Sequence, residues 1–89
     1  MSVAAINDRG CYNSNLLLVE TEQAMLHSAE EVIVVADSTK FGHQSLAQMC
    51  PLAEIDHLVV DDGLPKEWRQ KIEQAGVSLH LAPLVTRPT

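Results

Sequence analysis

Residues 32–42 read VIVVADSTKFG. A short β-branched run enters an Asp-Ser-Thr-Lys cluster and then reaches Gly42, so a buried strand opens directly into a polar loop. Two further runs share its character, HLVVDD at 57–62 and SLHLAP at 78–83. The first two are almost continuously apolar before ending in acid, the pattern of strands covered on both faces in a parallel sheet. Between the last two lies LPKEWRQKIEQAG at 64–76. Pro65 suits a first helical position, Leu64, Trp68, Ile72 and Ala75 fall on one stripe, and Gly76 ends it. This predicts a strand–helix–strand unit with a right-handed crossover.

Upstream, VAAI at 3–6 reads as the end of a strand, followed by a polar turn, NDRGCYNSN. Asn15 is placed to cap LLLVETEQAMLHSAEE (16–31), because its side-chain oxygen can accept from the free amides of a first helical turn. The periodicity puts Leu18, Met25 and Ala29 on the buried face, widened by Leu17, Ala24 and Leu26, with Glu22, Gln23 and Glu30 turned away. The connection from Asp37 to His57 offers only SLAQM (45–49) as helical material before Pro51. The expected organisation is one α/β domain over residues 1–83, a short parallel sheet flanked by helices, with a flexible tail at 84–89. Three or four parallel strands leave an unpaired edge, so self-association through that edge or through an apolar face is expected.

With 89 residues, 46% of them hydrophobic and only three aromatic, the core must be layered from Val, Leu, Ile and Ala. The formal charge of −6 repels phosphodiester backbones and argues against direct nucleic-acid contact. No stretch approaches the ~20 apolar residues of a membrane span. Cys11 and Cys50 stand far apart, without CxxC spacing and with no basic or helix-start neighbour, which predicts a reducing cytoplasm and unreactive thiols. His27, His43, His57 and His80 show no metal-ligand spacing. No metal and no cofactor are expected.

In open α/β sheets, ligands bind beyond the carboxyl ends of the strands, where ADSTKFG sits. Ser38 and Thr39 offer hydroxyls and amides and Lys40 a compact positive charge, a set suited to a phosphate ester. The same residues also make an Asx-type turn, in which Asp37 accepts from amides two residues on and Lys40 is solvated. Asp61 and Asp62 in VVDDG end the neighbouring strand and suit sugar hydroxyls, or an ordinary turn before Pro65.

The stretch ETEQAM, followed by EEVIVVADSTKFGHQSLAQMCPLAEIDHLVVDDGLP, resembles the C-terminal effector-sensing domain of DeoR-family transcriptional repressors, where ADSSKFG-like and TDxGLP-like segments recur in this order. The resemblance covers nearly the whole chain. It implies the fold of ribose-phosphate isomerases, glucosamine-phosphate deaminases and CoA transferases, and a phosphorylated sugar as inducer. It also implies that Asp37, Ser38, Thr39 and Lys40 line the effector site with Asp61 nearby, and that Glu20 supplies a helix carboxylate. The family commonly carries a Lys-Arg pair where Glu22 and Gln23 precede Ala24 here. GCYNSNLLLVETEQAM is most similar to repressors of glucitol operons, which implies a hexitol phosphate. On this reading the chain is the second half of a sensor, a piece of a longer protein whose DNA-reading domain lies elsewhere. The competing readings are a fragment of a sugar-phosphate isomerase-type enzyme, for which only Asp61 and Lys40 offer acid–base groups, and a pure assembly module.

Overall fold

The computed structural model describes residues 3–83; the tail expected at 84–89 lies outside them. The element order is β1 (Ala5–Asn7), β2 (Gly10–Asn13), α1 (Leu16–Ser28), β3 (Ile33–Ala36), β4 (Ala47–Cys50), β5 (His57–Asp61), α2 (Lys66–Gln74) and β6 (Ser78–Ala82), with short 3-10 turns at Ser38–Lys40 and Leu52–Glu54. The chain is α/β, as expected, but its strands form two small sheets. One is parallel, in the order β3-β5-β6, and the other antiparallel, in the order β1-β2-β4. A parallel bridge between Ile6 and Phe41 joins them.

The three runs read as parallel strands are β3, β5 and β6. In register, Ile33 faces His57, Val35 faces Val59, and Val59 faces His80. Side chains alternate across the pleat, so Val34, Leu58 and Val60 enter the core at 0–1% exposure. The opposite face is open, with Ile33 and Val35 at 47% and 51% exposure. The expectation of a sheet covered on both faces is therefore corrected: among the described residues one face enters the core, and the other, where Ile33, Val35 and Val59 stand beside His57 and His80, is at least partly exposed.

The β5–α2–β6 strand–helix–strand order is present, with Pro65 standing just before the helix as its N-cap rather than at the expected first helical position. Leu64 and Ile72 are buried, Trp68 and Ala75 pack against the core, and α2 lies on β6. Gly76 stops the helix at φ 86°, a left-handed backbone that an L side chain resists.

Around β2 the sequence reading fails. The expected polar turn carries β2, buried along its whole length, and the expected helical stretch SLAQM runs instead into β4. A five-residue segment cannot sustain a helix on local bonds alone. Antiparallel pairing with β2 instead satisfies its backbone and buries Met49 and Cys50.

Helix α1 is capped as expected, Asn15 Oδ1 accepting from the Leu18 amide at 3.1 Å. Its buried face is not the expected one. Val19 and Glu22 are buried, with Leu26 partly so, whereas Leu17, Leu18 and Met25 are 73%, 45% and 56% exposed. Apolar side chains ring the start of this helix, so periodicity selects no face. The choice falls to contact with β2 and β4, on which α1 packs. There Asn13 Nδ2 donates to Glu22 Oε1 at 3.2 Å, and Gln23 Nε2 donates to the Gln48 carbonyl at 3.1 Å.

Candidate functional site

Strand β3 ends at Ala36 and β5 at Asp61, and because they run parallel, the loop ADSTKFG and the turn DDG emerge at the same edge of the sheet. Asp61 ties them. Its Oδ1 accepts from the Ser38 amide at 2.6 Å and its Oδ2 from the Gly63 amide at 3.0 Å. The backbone and hydroxyl of Ser38, helped by the Gly63 amide, hold the Asp61 carboxyl below its ordinary value, because donors stabilise the charged form.

Asp37 caps the 3-10 turn. It accepts from the Thr39 amide at 2.9 Å and is bonded by the Thr39 hydroxyl. The Lys40 amide donates to the Asp37 carbonyl at 3.1 Å, the Phe41 amide to the Ser38 carbonyl at 3.4 Å, and the Gly42 amide to the Ile6 carbonyl at 2.8 Å. Every backbone N–H from Ser38 to Gly42 thus has an internal acceptor. The expectation that loop amides are offered to a ligand is corrected: the turn consumes them, and the hydroxyls of Ser38 and Thr39 already face carboxylates. The Asx-type geometry and the clustering of polar side chains at the strand ends are both present, and they are not exclusive.

What remains outward is charge. Lys40 is half-buried and, among the described residues, has no ion-pair partner. Nearby cations are engaged elsewhere: Arg69 donates to the carbonyls of Leu64 and Asp62, both at 2.9 Å, and Lys71 Nζ sits 4.7 Å from the centre of the Trp68 ring. Behind the loop, Phe41 packs against Trp68 with ring centroids 5.6 Å apart, which fixes the base of the turn.

Asp37, Ser38, Thr39, Lys40 and Asp61 are therefore brought together. Glu20 is not joined to them by any described hydrogen bond; it is exposed on α1, which rests on the antiparallel sheet. Two grooves flank α1, away from the loop. One is lined by Gln23, Met49, Pro51 and Asp56, the other by Leu18, Met25, Val32 and Ile33. The second is an apolar packing surface with little to orient a polar ligand.

At the other end of the strands, His57 bridges Glu31 through Nε2 and His80 through Nδ1, 3.0 Å from His80 Nε2. Sequence spacing gave no hint of this pair, because parallel register alone brings β5 and β6 together. Among the described residues, no group of three or more His, Cys, Asp or Glu side chains is arranged to hold a metal, and no helix is long and apolar enough to cross a membrane.

The sequence pattern of the DeoR C terminal sensor domain matches residues 1–62. Among curated proteins, the chain is 34% identical over 82 residues to an Escherichia coli O157:H7 protein named as an aga operon transcriptional repressor, a match covering 91% of this chain and 30% of that protein. It is 38% identical over 58 residues to the HTH-type transcriptional regulator GlpR of Haloferax volcanii, covering 65% of this chain and 23% of that one. It is 32% identical over 73 residues to the regulator IolR of Bacillus subtilis, covering 82% and 29%. The chain spans less than a third of the length of these relatives. The matched domain is a sensor and the relatives are transcriptional regulators, so the enzyme reading is set aside.

Proposed function

The chain belongs to the family of DeoR C terminal sensor domains, and on that premise we propose that it senses a phosphorylated sugar or sugar alcohol at the carboxyl ends of β3 and β5, within a cytoplasmic repressor of carbohydrate metabolism. The observation that carries this reading is Lys40, a cation without an ion-pair partner among the described residues, set beside two carboxylates at a parallel-sheet edge. The division of labour follows from the chemistry. With the loop amides engaged, the anionic group of the effector meets the Lys40 ammonium, while Asp37 and Asp61 have lone pairs left to accept from sugar hydroxyls. Binding that favours one arrangement of the loop shifts the regulator between states. DNA contact belongs to another part of the protein, since a net charge of −6 opposes it here.

Self-association is the second part of the proposal. Ile33, which shares an open sheet face with Val35, lies beside the exposed Leu18 and Met25 of α1, and these three line a largely apolar groove. Burying such area contributes about 25 cal/mol per Å², which favours an oligomer.

The test is calorimetric titration of the intact regulator with a panel of sugar and hexitol phosphates. A charge-assisted contact contributes roughly 1.5–3 kcal/mol, so Lys40→Ala is expected to weaken effector binding about 10- to 150-fold without disturbing the fold. Lys40→Arg restores part of it, because a planar fork does not reproduce a point charge in a tight turn. Undiminished binding by Lys40→Ala refutes the phosphate assignment.

A further inference from the structure

The two cysteines, distant in sequence, meet in the fold. Antiparallel pairing of β2 with β4 sets Cys11 directly opposite Cys50. Opposed residues of an antiparallel pair have Cα atoms about 4.5–5.5 Å apart, inside the roughly 4.4–6.8 Å window that a disulfide spans. Both are free thiols, 0% and 3% exposed, in the same core cluster.

Two features of the backbone sharpen the meeting. The register shifts between Cys11 and Tyr12, and such an irregularity bends and twists a strand locally. Gly10, at φ 144°, has no side chain where a Cβ would lie 2.1 Å from the Cys50 carbonyl oxygen. The β2 backbone closes on β4 at the cysteine pair because a glycine stands there.

We propose that Cys11 and Cys50 form a cross-strand dithiol that a small peroxide converts to an intramolecular disulfide, giving this sensor domain an oxidative modification site distinct from its effector site. The inference does not depend on the identity of the effector. The Cys50 thiolate attacks one oxygen of hydrogen peroxide, the O–O bond breaks, and the departing hydroxide takes a proton to leave as water. Cys50 becomes a sulfenic acid. The Cys11 sulfur then attacks the Cys50 sulfur, its proton leaves with the sulfenic hydroxyl as a second water, and the S–S bond forms. Each sulfur loses one electron, and the peroxide gains two.

The surroundings assign the roles. The hydrogen bond from Cys11 draws the Cys50 thiol below its ordinary value, against burial and against the carboxylates of Glu54 and Glu22. The same bond, together with burial, pushes the Cys11 thiol far up. Cys11 lies at 0% exposure on β2, the central strand of its sheet, and Cys50 at the sheet's edge, so the geometry makes Cys50 the attacking thiolate and Cys11 the resolving thiol. Cys50 also ends β4, an edge strand, immediately before the exposed Pro51, and hydrogen peroxide is little larger than water. The new bond would fasten together the two strands on which α1 rests, so oxidation would stiffen the platform of that helix.

The experiment treats the reduced protein with hydrogen peroxide, blocks remaining thiols with a maleimide under denaturing conditions, and reads intact and tryptic masses without reduction. The oxidised chain is expected to lose about 2 Da and to take up no maleimide, the product of two thiols becoming one disulfide. The tryptic peptides 10–40 and 41–66 should appear as one linked species that a thiol reductant separates. Cys11→Ser should stop at a Cys50 sulfenic acid trapped by a dimedone-type reagent, and Cys50→Ser should leave Cys11 oxidised about tenfold more slowly or worse. If either variant fails to fold, the wild-type peptide map still decides. Two maleimide-reactive thiols after peroxide, sulfinic or sulfonic products without the linked peptides, or linkage only between two chains would overturn the proposal.

Discussion

Replacing Asn13 with alanine tests the orientation of α1, because this side chain supplies the hydrogen-bond donor facing Glu22. Asn13 Nδ2 lies 3.2 Å and 3.5 Å from the two Glu22 carboxylate oxygens and 3.0 Å from Met49 Sδ, and both residues are 7% exposed. The Asn13 carbonyl oxygen also accepts from the Ala4 amide at 3.0 Å, but that amide reaches the Tyr12 carbonyl as well. The loss therefore concentrates on Glu22, left as a buried carboxylate without its donor. Stranding a buried charged acceptor costs about 2–3 kcal/mol. For a domain of this size that corresponds to a fall in Tm of roughly 10–20 °C.

The pH dependence has a definite sign. Burial raises the Glu22 carboxyl above its ordinary value of 4.5, so its contribution to stability is fully present below that value and is lost as pH rises through the folded value. The Asn13→Ala penalty should shrink below about pH 4.5, where a protonated carboxyl needs the donor less. Glu22→Gln should match or exceed wild type at pH 7, and Asn13→Ala should cost less in the Glu22→Gln background. The assay is urea unfolding followed by circular dichroism from pH 4 to 8. An Asn13→Ala penalty below about 0.5 kcal/mol, the scatter of surface substitutions, and independent of pH would mean that Glu22 faces solvent as its periodicity suggests.

Asp61 carries the opposite sign. Its carboxyl is held below the ordinary 3.8, so its stabilisation is present above that value and lost as pH falls through the lower folded value; Asp61→Asn should flatten this acid limb of a stability–pH profile. Gly10→Ala and Gly76→Ala should differ sharply in thermal unfolding: a Cβ at 10 meets the Cys50 carbonyl oxygen at 2.1 Å, whereas one at 76 meets nothing within 4 Å. The first should prevent β2–β4 pairing, and the second should cost only the left-handed backbone strain, roughly 1–2 kcal/mol; equal losses would contradict the close approach. Leu18→Ser combined with Met25→Ser should lower the oligomeric state in sedimentation velocity if α1 and the open sheet face form the interface. An unchanged state, or a wild type that is already monomeric, would refute this interface.

The local elements were legible because their signals are local. The runs at 32–37, 57–62 and 78–83 contain β3, β5 and β6, Asn15 caps α1, and the stripe of Leu64, Trp68, Ile72 and Ala75 faces the core, each through residues a few positions apart. The gathering of Asp37 to Lys40 with Asp61 was legible for the same reason: parallel strands that both end in acid place those ends at one edge. What the loop does with its amides was not legible, since it depends on Asp61 and Ile6, contributed by other strands.

By itself the sequence determined the family, the α/β class and the position of the polar loop, because composition, period and a specific motif survive without knowledge of long-range partners. Tertiary structure alone decided that GCYN and AQMC pair as strands, that α1 buries Glu22 while exposing Leu17 and Leu18, that His57 meets His80, and that Cys11 stands opposite Cys50. These outcomes share one physical cause. Short segments and helices apolar on several sides carry too little local free energy to choose a conformation or a face, so the choice passes to whichever distant backbone and buried polar group the packing brings within reach.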